Sequence, residues 1–135
     1  MANNFKQSTE AVNAAANAVC ALCNSGVLRI YEAPQAADAD TVVGAQKLLA
    51  ELTMNATAFA GAVAGVAAAN AITKDSSANN TGTAGWFRVF KTGGTDPVYD
   101  GTVGTAACDL NLNTVSIVAA AEVQVSSLTY TQPKA

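Results

Sequence analysis

The feature that most constrains this chain is a change of pattern at Gly26. Before it, residues 7 to 23 (QSTEAVNAAANAVCALC) are rich in alanine and contain neither Gly nor Pro. That composition predicts one helix, capped by Ser8 or Thr9 and stopped by Asn24-Ser25-Gly26. Val12, Ala15, Ala16, Val19, Leu22 and Cys23 recur at helical spacing, a narrow stripe of mostly small side chains that buries little area alone. The helix has to lie on something else.

After Gly26, β-branched and aromatic residues come in short runs separated by Gly, Asn, Asp and Pro, which is the pattern of strands and turns. Val27 to Glu32 places Leu28 and Ile30 on one face and Arg29 and Tyr31 on the other, and a long edge loop with Pro34, Asp38 and Asp40 follows, from Ala33 to Gly44. Lys47 to Asn55 alternates through Leu48, Ala50, Leu52 and Met54 and is read as a strand. Phe59 to Val66 and Ala69 to Thr73 are read as short strands hinged about glycines, and Asp75 to Thr83 as a polar turn region. Ala84 to Lys91 (AGWFRVFK) is the firmest strand, with Trp86, Arg88 and Phe90 facing one way and Phe87 and Val89 the other. Gly93-Gly94 turns the chain into a hairpin partner, Val98 to Val103, and Asp109 to Asn113, Val115 to Ala119 and Glu122 to Tyr130 supply further extended runs. About eight such strands after a single helix predict a mainly β chain: an N-terminal arm and helix over 1–26, then an antiparallel, jelly-roll-like β-sandwich over 27–135.

At 135 residues the chain fits one core and needs neither metal nor disulfide to hold it. With 7 basic and 10 acidic residues there is no basic stripe to neutralise several phosphates, so nucleic acid is not expected as a partner. The start, MANNFKQSTE, lacks the basic and apolar regions of a secretory signal, and synthesis in a cytoplasm is the expectation. Ala56 to Ile72 is the most apolar stretch, but it is mainly Ala and Gly and is broken by Gly61 and Gly65, so no membrane span is expected.

The search for chemistry is governed by the absence of histidine, which removes Ser-His-Asp and Cys-His machinery and His-ligated zinc. The carboxylates show no recognisable catalytic spacing, and neither a catalytic residue nor a cofactor is expected. Cys20-Ala-Leu-Cys23 is a C-x-x-C, but it ends a helix instead of starting one, where the dipole would lower a thiol pKa, and only Cys108 is left as a third ligand. The three are read as small buried hydrophobes. Asp38 and Asp40, and the set Asp96, Asp100 and Asp109, are read as turn residues in preference to calcium ligands, because no EF-hand spacing is present. The face carrying Trp86, Arg88 and Phe90, together with Tyr31, is expected to be a half-buried patch at a protein interface, where Trp and Arg are enriched.

Several pieces resemble a family of small tailed-bacteriophage virion proteins. They are the helix ending in Asn24-Ser25-Gly26, Leu28-Arg-Ile-Tyr31 followed by Pro34, Leu48-Leu-Ala-Glu-Leu52, Gly82-Thr-Ala-Gly-Trp-Phe-Arg88, Asp100-Gly-Thr-Val-Gly104, Asp109-Leu-Asn-Leu112, and the alternation from Val123 to Tyr130. The resemblance spans nearly the whole chain and carries no catalytic residue with it. It implies a β-sandwich that decorates or cements a capsid, or sits at the neck or tail. The partners would be the major capsid protein or other virion proteins, and the state a homo-oligomer such as a trimer, with the ends Met1 to Gln7 and Thr131 to Ala135 acting as arms on neighbouring subunits. The alternative is a receptor- or carbohydrate-binding virion module that uses Trp86 and the loops.

Overall fold

A computed structural model of the chain describes residues 4–134. One helix, α1 (Thr9–Ala21), is followed by nine strands: β1 (Val27–Tyr31), β2 (Leu48–Thr53), β3 (Val66–Ala68), β4 (Gly82–Thr83), β5 (Trp86–Phe90), β6 (Pro97–Gly104), β7 (Leu110–Leu112), β8 (Ser116–Ile117) and β9 (Val125–Thr131). Seven strands form one sheet in the order β2-β1-β5-β6-β7-β9-β3, and β4 pairs with β8 in a two-stranded sheet. The mainly β class behind a single N-terminal helix is therefore what the chain adopts.

The large sheet is mixed, which departs from the antiparallel expectation. β6 and β7 run parallel through two residue pairs, Val103 with Leu110 and Gly104 with Asn111. A parallel pair ordinarily needs a long crossover, but here residues 105–109 return the chain in a tight loop. Ala107 takes φ +57°, and the Asp109 carboxylate accepts bonds from the Thr102 backbone N–H (3.0 Å) and hydroxyl (3.1 Å), pinning the loop to β6.

Ser8 caps α1 by accepting the Ala11 N–H at 3.1 Å, one of the two candidates expected. The buried stripe is Val12, Ala16 and Cys20, continued by Cys23, whereas Leu22 is 47% exposed. The expected stripe is thus rotated at its C-terminal end, where the helix finishes at Ala21 and Leu22 turns outward. Cys20 and Cys23 join Leu28, Ile30, Phe59, Phe87 and Leu110 in one core, so helix and strands share it. Asparagines on α1 and just after it hold the segment that crosses them: Asn13 accepts the Gly65 N–H (2.8 Å), Asn17 that of Ala62 (2.9 Å) and Asn24 that of Ala58 (2.8 Å).

Both outer strands of the sheet are covered by other segments of the chain. On β2, the Glu51 N–H donates to the Asp75 carboxylate (2.9 Å), and the Leu49 and Thr53 carbonyls accept from the backbone N–H groups of Asn79 (2.8 Å) and Thr73 (3.0 Å). On β3, the Ala68 carbonyl accepts from Ala60 (2.9 Å), while Val63 and Val66 close a tight turn about Ala64 and Gly65, both at positive φ. The two strands read over Phe59 to Val66 and Ala69 to Thr73 are consequently replaced by the short β3 and isolated bridges, Phe59 with Ala69 and Thr53 with Thr73. The Ala/Gly-rich stretch has too few large side chains to sustain longer ladders. β4 lies inside the region read as a polar turn.

The ends are not both free arms. The Gln7 N–H donates to the Lys134 carbonyl at 3.2 Å, so the segment that leads into α1 is tied to the one that follows β9. Residues 1–3 and 135 of the expected arms lie outside the described residues.

Candidate functional site

β1 and β5 pair with Tyr31 opposite Trp86, Arg29 opposite Arg88 and Val27 opposite Phe90. Strand alternation therefore gathers the four sequence-selected residues, Tyr31, Trp86, Arg88 and Phe90, on one face together with Arg29. The expectation of a half-exposed patch is corrected: Trp86 is 0% exposed, Arg88 3%, Tyr31 6% and Phe90 7%. The cause is the long loop between β1 and β2, which folds over this face as a strap over residues 33–46.

The strap is closed at its base by the Glu32 N–H donating to the Lys47 carbonyl at 3.1 Å. At its tip the Asp38 carboxylate oxygen accepts from the backbone N–H groups of Asp40 (3.0 Å) and Thr41 (2.9 Å) and from the Thr41 hydroxyl (2.9 Å). The Thr41 hydroxyl bond foremost, with the two amides, lowers the Asp38 pKa. This turn aims two carbonyls inward. Arg88 Nη1 donates to the Thr41 carbonyl (2.7 Å) and Nη2 to that of Asp38 (3.0 Å), while Nε and Nη2 reach the Asp100 carboxylate at 2.6 and 3.0 Å. Bonding to Asp100 raises the Arg88 pKa despite the burial, and the four bonds explain how a guanidinium sits inside at all.

Trp86 lies deeper. Its ring stacks on Tyr31 with centroids 4.9 Å apart, and its Nε1 donates to the Glu32 carbonyl at 2.8 Å. This placement does not suit the alternative in which Trp86 stacks on a sugar, because the ring is buried and its N–H is engaged inside the protein.

Between strap and sheet lies a cleft of about 430 Å³ lined by Arg29, Tyr31, Val42, Val43, Phe90 and Pro97, among others. Its floor is aromatic. Arg29 spans one side, donating from Nε to Glu51 (2.7 Å) and from Nη1 to the Gly94 carbonyl (3.1 Å), with its guanidinium 4.7 Å from the Phe90 ring centre. Val42 stands on the strap's tip at 87% exposure. Burial above all raises the Tyr31 pKa, so its hydroxyl is neutral at ordinary pH.

No family model matches the chain, and no curated protein or solved structure matches it either. The site must therefore be read from its own chemistry. Both arginines that reach it are matched by carboxylates, Arg29 by Glu51 and Arg88 by Asp100. The cleft offers apolar surface and hydrogen-bond donors, and a contact surface is what such a lining suits.

The other sequence candidates lie elsewhere. Cys20 and Cys23 are buried and Cys108 partly so, all as free thiols. Desolvation pushes Cys20 up to about 11 and Cys23 up to about 12, the latter with help from Cys20. Asp38 makes the turn expected of it. The reading of Asp100 as a turn residue is corrected, because it lies within β6 and pairs with the buried Arg88; Asp109 serves Thr102, and among the described residues no group of three or more His, Cys, Asp or Glu is placed to hold a metal. Of the four interface candidates, Tyr31, Arg88 and Phe90 line the cleft and Trp86 does not. Sequence reasoning missed Arg29, Val42 and Pro97. Strand alternation already put Arg29 beside Tyr31, and Val42-Val43 is an apolar pair in an otherwise polar loop.

Proposed function

We propose that this protein is a structural component of a bacteriophage particle, a cement or decoration protein that binds the assembled head and stabilises it through subunit contacts. The observation that carries this reading is that both arginines converging on the cleft are matched by carboxylates within the chain, leaving a largely apolar surface suited to contact. Two further features support it. Both sheet edges are sheathed, which disfavours open-ended strand addition and leaves side-chain surfaces as the means of association. Large apolar side chains also stand exposed, with Phe5 at 68%, Val42 at 87% and Val63 at 75%.

The mechanism is mass action. A protein that binds the assembled shell, and not the free shell subunit, stabilises the shell by an amount set by affinity and multiplicity. The partners are then the major capsid protein or other virion proteins, and the site of action is the virion after synthesis in the host cytoplasm. The test is to compare shells carrying the protein with shells stripped of it under heat and osmotic shock. Greater resistance of the decorated shells is expected, and equal resistance overturns the reading. The copy number per particle separates a head-wide station from the neck or tail.

A further inference from the structure

We propose that the cleft under the strap receives Phe5 and Lys6 from the N-terminal arm of a second copy of this chain. The inference rests on the structural reading above and specifies a partner for the same cleft.

The arm is built as a donor. Residues 4–8 have no regular structure, and their backbone is tied down by the Gln7 bond to Lys134. Phe5 projects with 68% of its surface exposed, the most exposed aromatic side chain among the described residues. A phenyl ring left so open forfeits the burial that aromatic residues normally gain. Lys6, its neighbour, is exposed and makes no ion pair among the described residues.

The cleft is built as the matching acceptor. Tyr31 and Phe90 give it an aromatic floor, and the Arg29 guanidinium lies over the Phe90 ring at one side. Among the charged residues that line the cleft, Arg29 is matched by Glu51 and Arg88 by Asp100, which leaves Asp40 as the one without an ion pair. Asp40 lines the cleft and Asp96 sits next to its lining residues Thr95 and Pro97, both exposed and without an ion pair among the described residues. An aromatic residue followed by a lysine is the chemistry that fits: ring to the floor, ammonium to the rim.

Within one copy the arm leaves the cleft empty: Gln7 is tied to Lys134 beyond the end of β9, and Phe5 stands 68% exposed and is not among the residues lining the cleft. The contact is therefore between copies, arm to cleft, a head-to-tail geometry that builds rings when the rotation closes.

Sedimentation velocity on the full chain tests this with four variants at exposed positions: Phe5→Ala, Lys6→Glu, Asp40→Lys, and the double change Lys6→Glu with Asp40→Lys. Circular dichroism of each checks that the fold is kept. Wild type is expected to self-associate, and Phe5→Ala to weaken association about tenfold or more, from the burial of one aromatic side chain. Each charge reversal should weaken it about two- to fivefold and the double change restore it. A wild-type chain that stays monomeric at every concentration, association indifferent to Phe5→Ala, or no recovery in the double variant would each overturn the proposal. Association that ignores Phe5 while decorated shells still resist heat removes only this inference. Phe5-dependent association with no effect on shells removes only the particle role.

Discussion

Arg88 and Asp100 face each other across β5 and β6 and meet through two bonds, at 2.6 and 3.0 Å, with side chains only 4% and 5% exposed. The same guanidinium holds the strap by the Asp38 and Thr41 carbonyls. Replacing Arg88 with Met leaves a buried carboxylate and two carbonyls without partners, and the expected cost is about 3–5 kcal/mol by chemical denaturation. Arg88→Lys should recover little, since an ammonium cannot reproduce the planar fork. Amide exchange of Thr41 to Val43 should accelerate well beyond the change at core strands in either variant.

The glycines separate backbone geometry from mere composition. A Cβ at Gly26 would fall inside the Phe90 carbonyl oxygen, and one at Gly101 would lie 2.6 Å from the Phe87 ring, whereas at Gly61 nothing stands within 4 Å. Gly101→Ala is expected to cost about 1–3 kcal/mol through overpacking, and Gly26→Ala more, because the obstacle there is backbone. Gly61→Ala should be neutral or stabilising by up to about 1 kcal/mol. Thermal midpoints of the three variants check the order.

Much of this was legible because it depends on local rules. The Ser8 cap, the alternation of β1 and β5 and the Gly93-Gly94 turn all follow from residue types and their spacing, whereas the helix stops at Ala21, two residues before the expected end. The strap was legible only as a loop. Its folding back depends on Arg88 finding carbonyls about 50 positions away in sequence, which no local pattern encodes, and so an interface expected to be half open proved covered. The parallel β6–β7 pair was hidden for a similar reason, since it depends on Asp109 reaching back to Thr102 across a loop rich in small residues. Leu49 illustrates a third cause. Its burial breaks the alternation of Leu48, Ala50 and Leu52, because the ladder slips between Ile30 and Tyr31 and leaves Leu49 without a partner in the register.

The thiols predict an alkaline limit to stability. Cys20 and Cys23 titrate near about 11 and about 12 when folded, above the roughly 8.5 of an unfolded cysteine. Their folded pKa values are raised, so this contribution is complete below about pH 8.5 and declines as pH rises towards the folded values, because the unfolded chain loses the protons first. The melting temperature should therefore fall between about pH 8.5 and 11, and Cys20→Ala with Cys23→Ala should flatten that slope even if the whole curve drops. A slope unchanged by the double variant would place the alkaline sensitivity elsewhere.

The asparagines of the helix make a prediction that composition alone would reverse. On propensity, Asn17→Ala favours α1, since alanine is the better helix former by several tenths of a kcal/mol. The structure opposes this, because the Asn17 side chain accepts the Ala62 N–H, and its neighbours Asn13 and Asn24 do the same for Gly65 and Ala58. These bonds tie the Ala/Gly-rich segment 58–65, which has few large side chains to anchor it, onto the helix. The Asn24 bond is the most sheltered of the two that flank the segment's start, as Ala58 is fully buried, and its loss leaves an amide without a partner at about 1–3 kcal/mol. Asn24→Ala should therefore destabilise more than Asn17→Ala, whose lost bond is offset by the helix gain. Amide exchange at Ala58 and Ala62 should rise selectively in the respective variants. Equal stability of Asn24→Ala and wild type would show that the segment is held by packing alone.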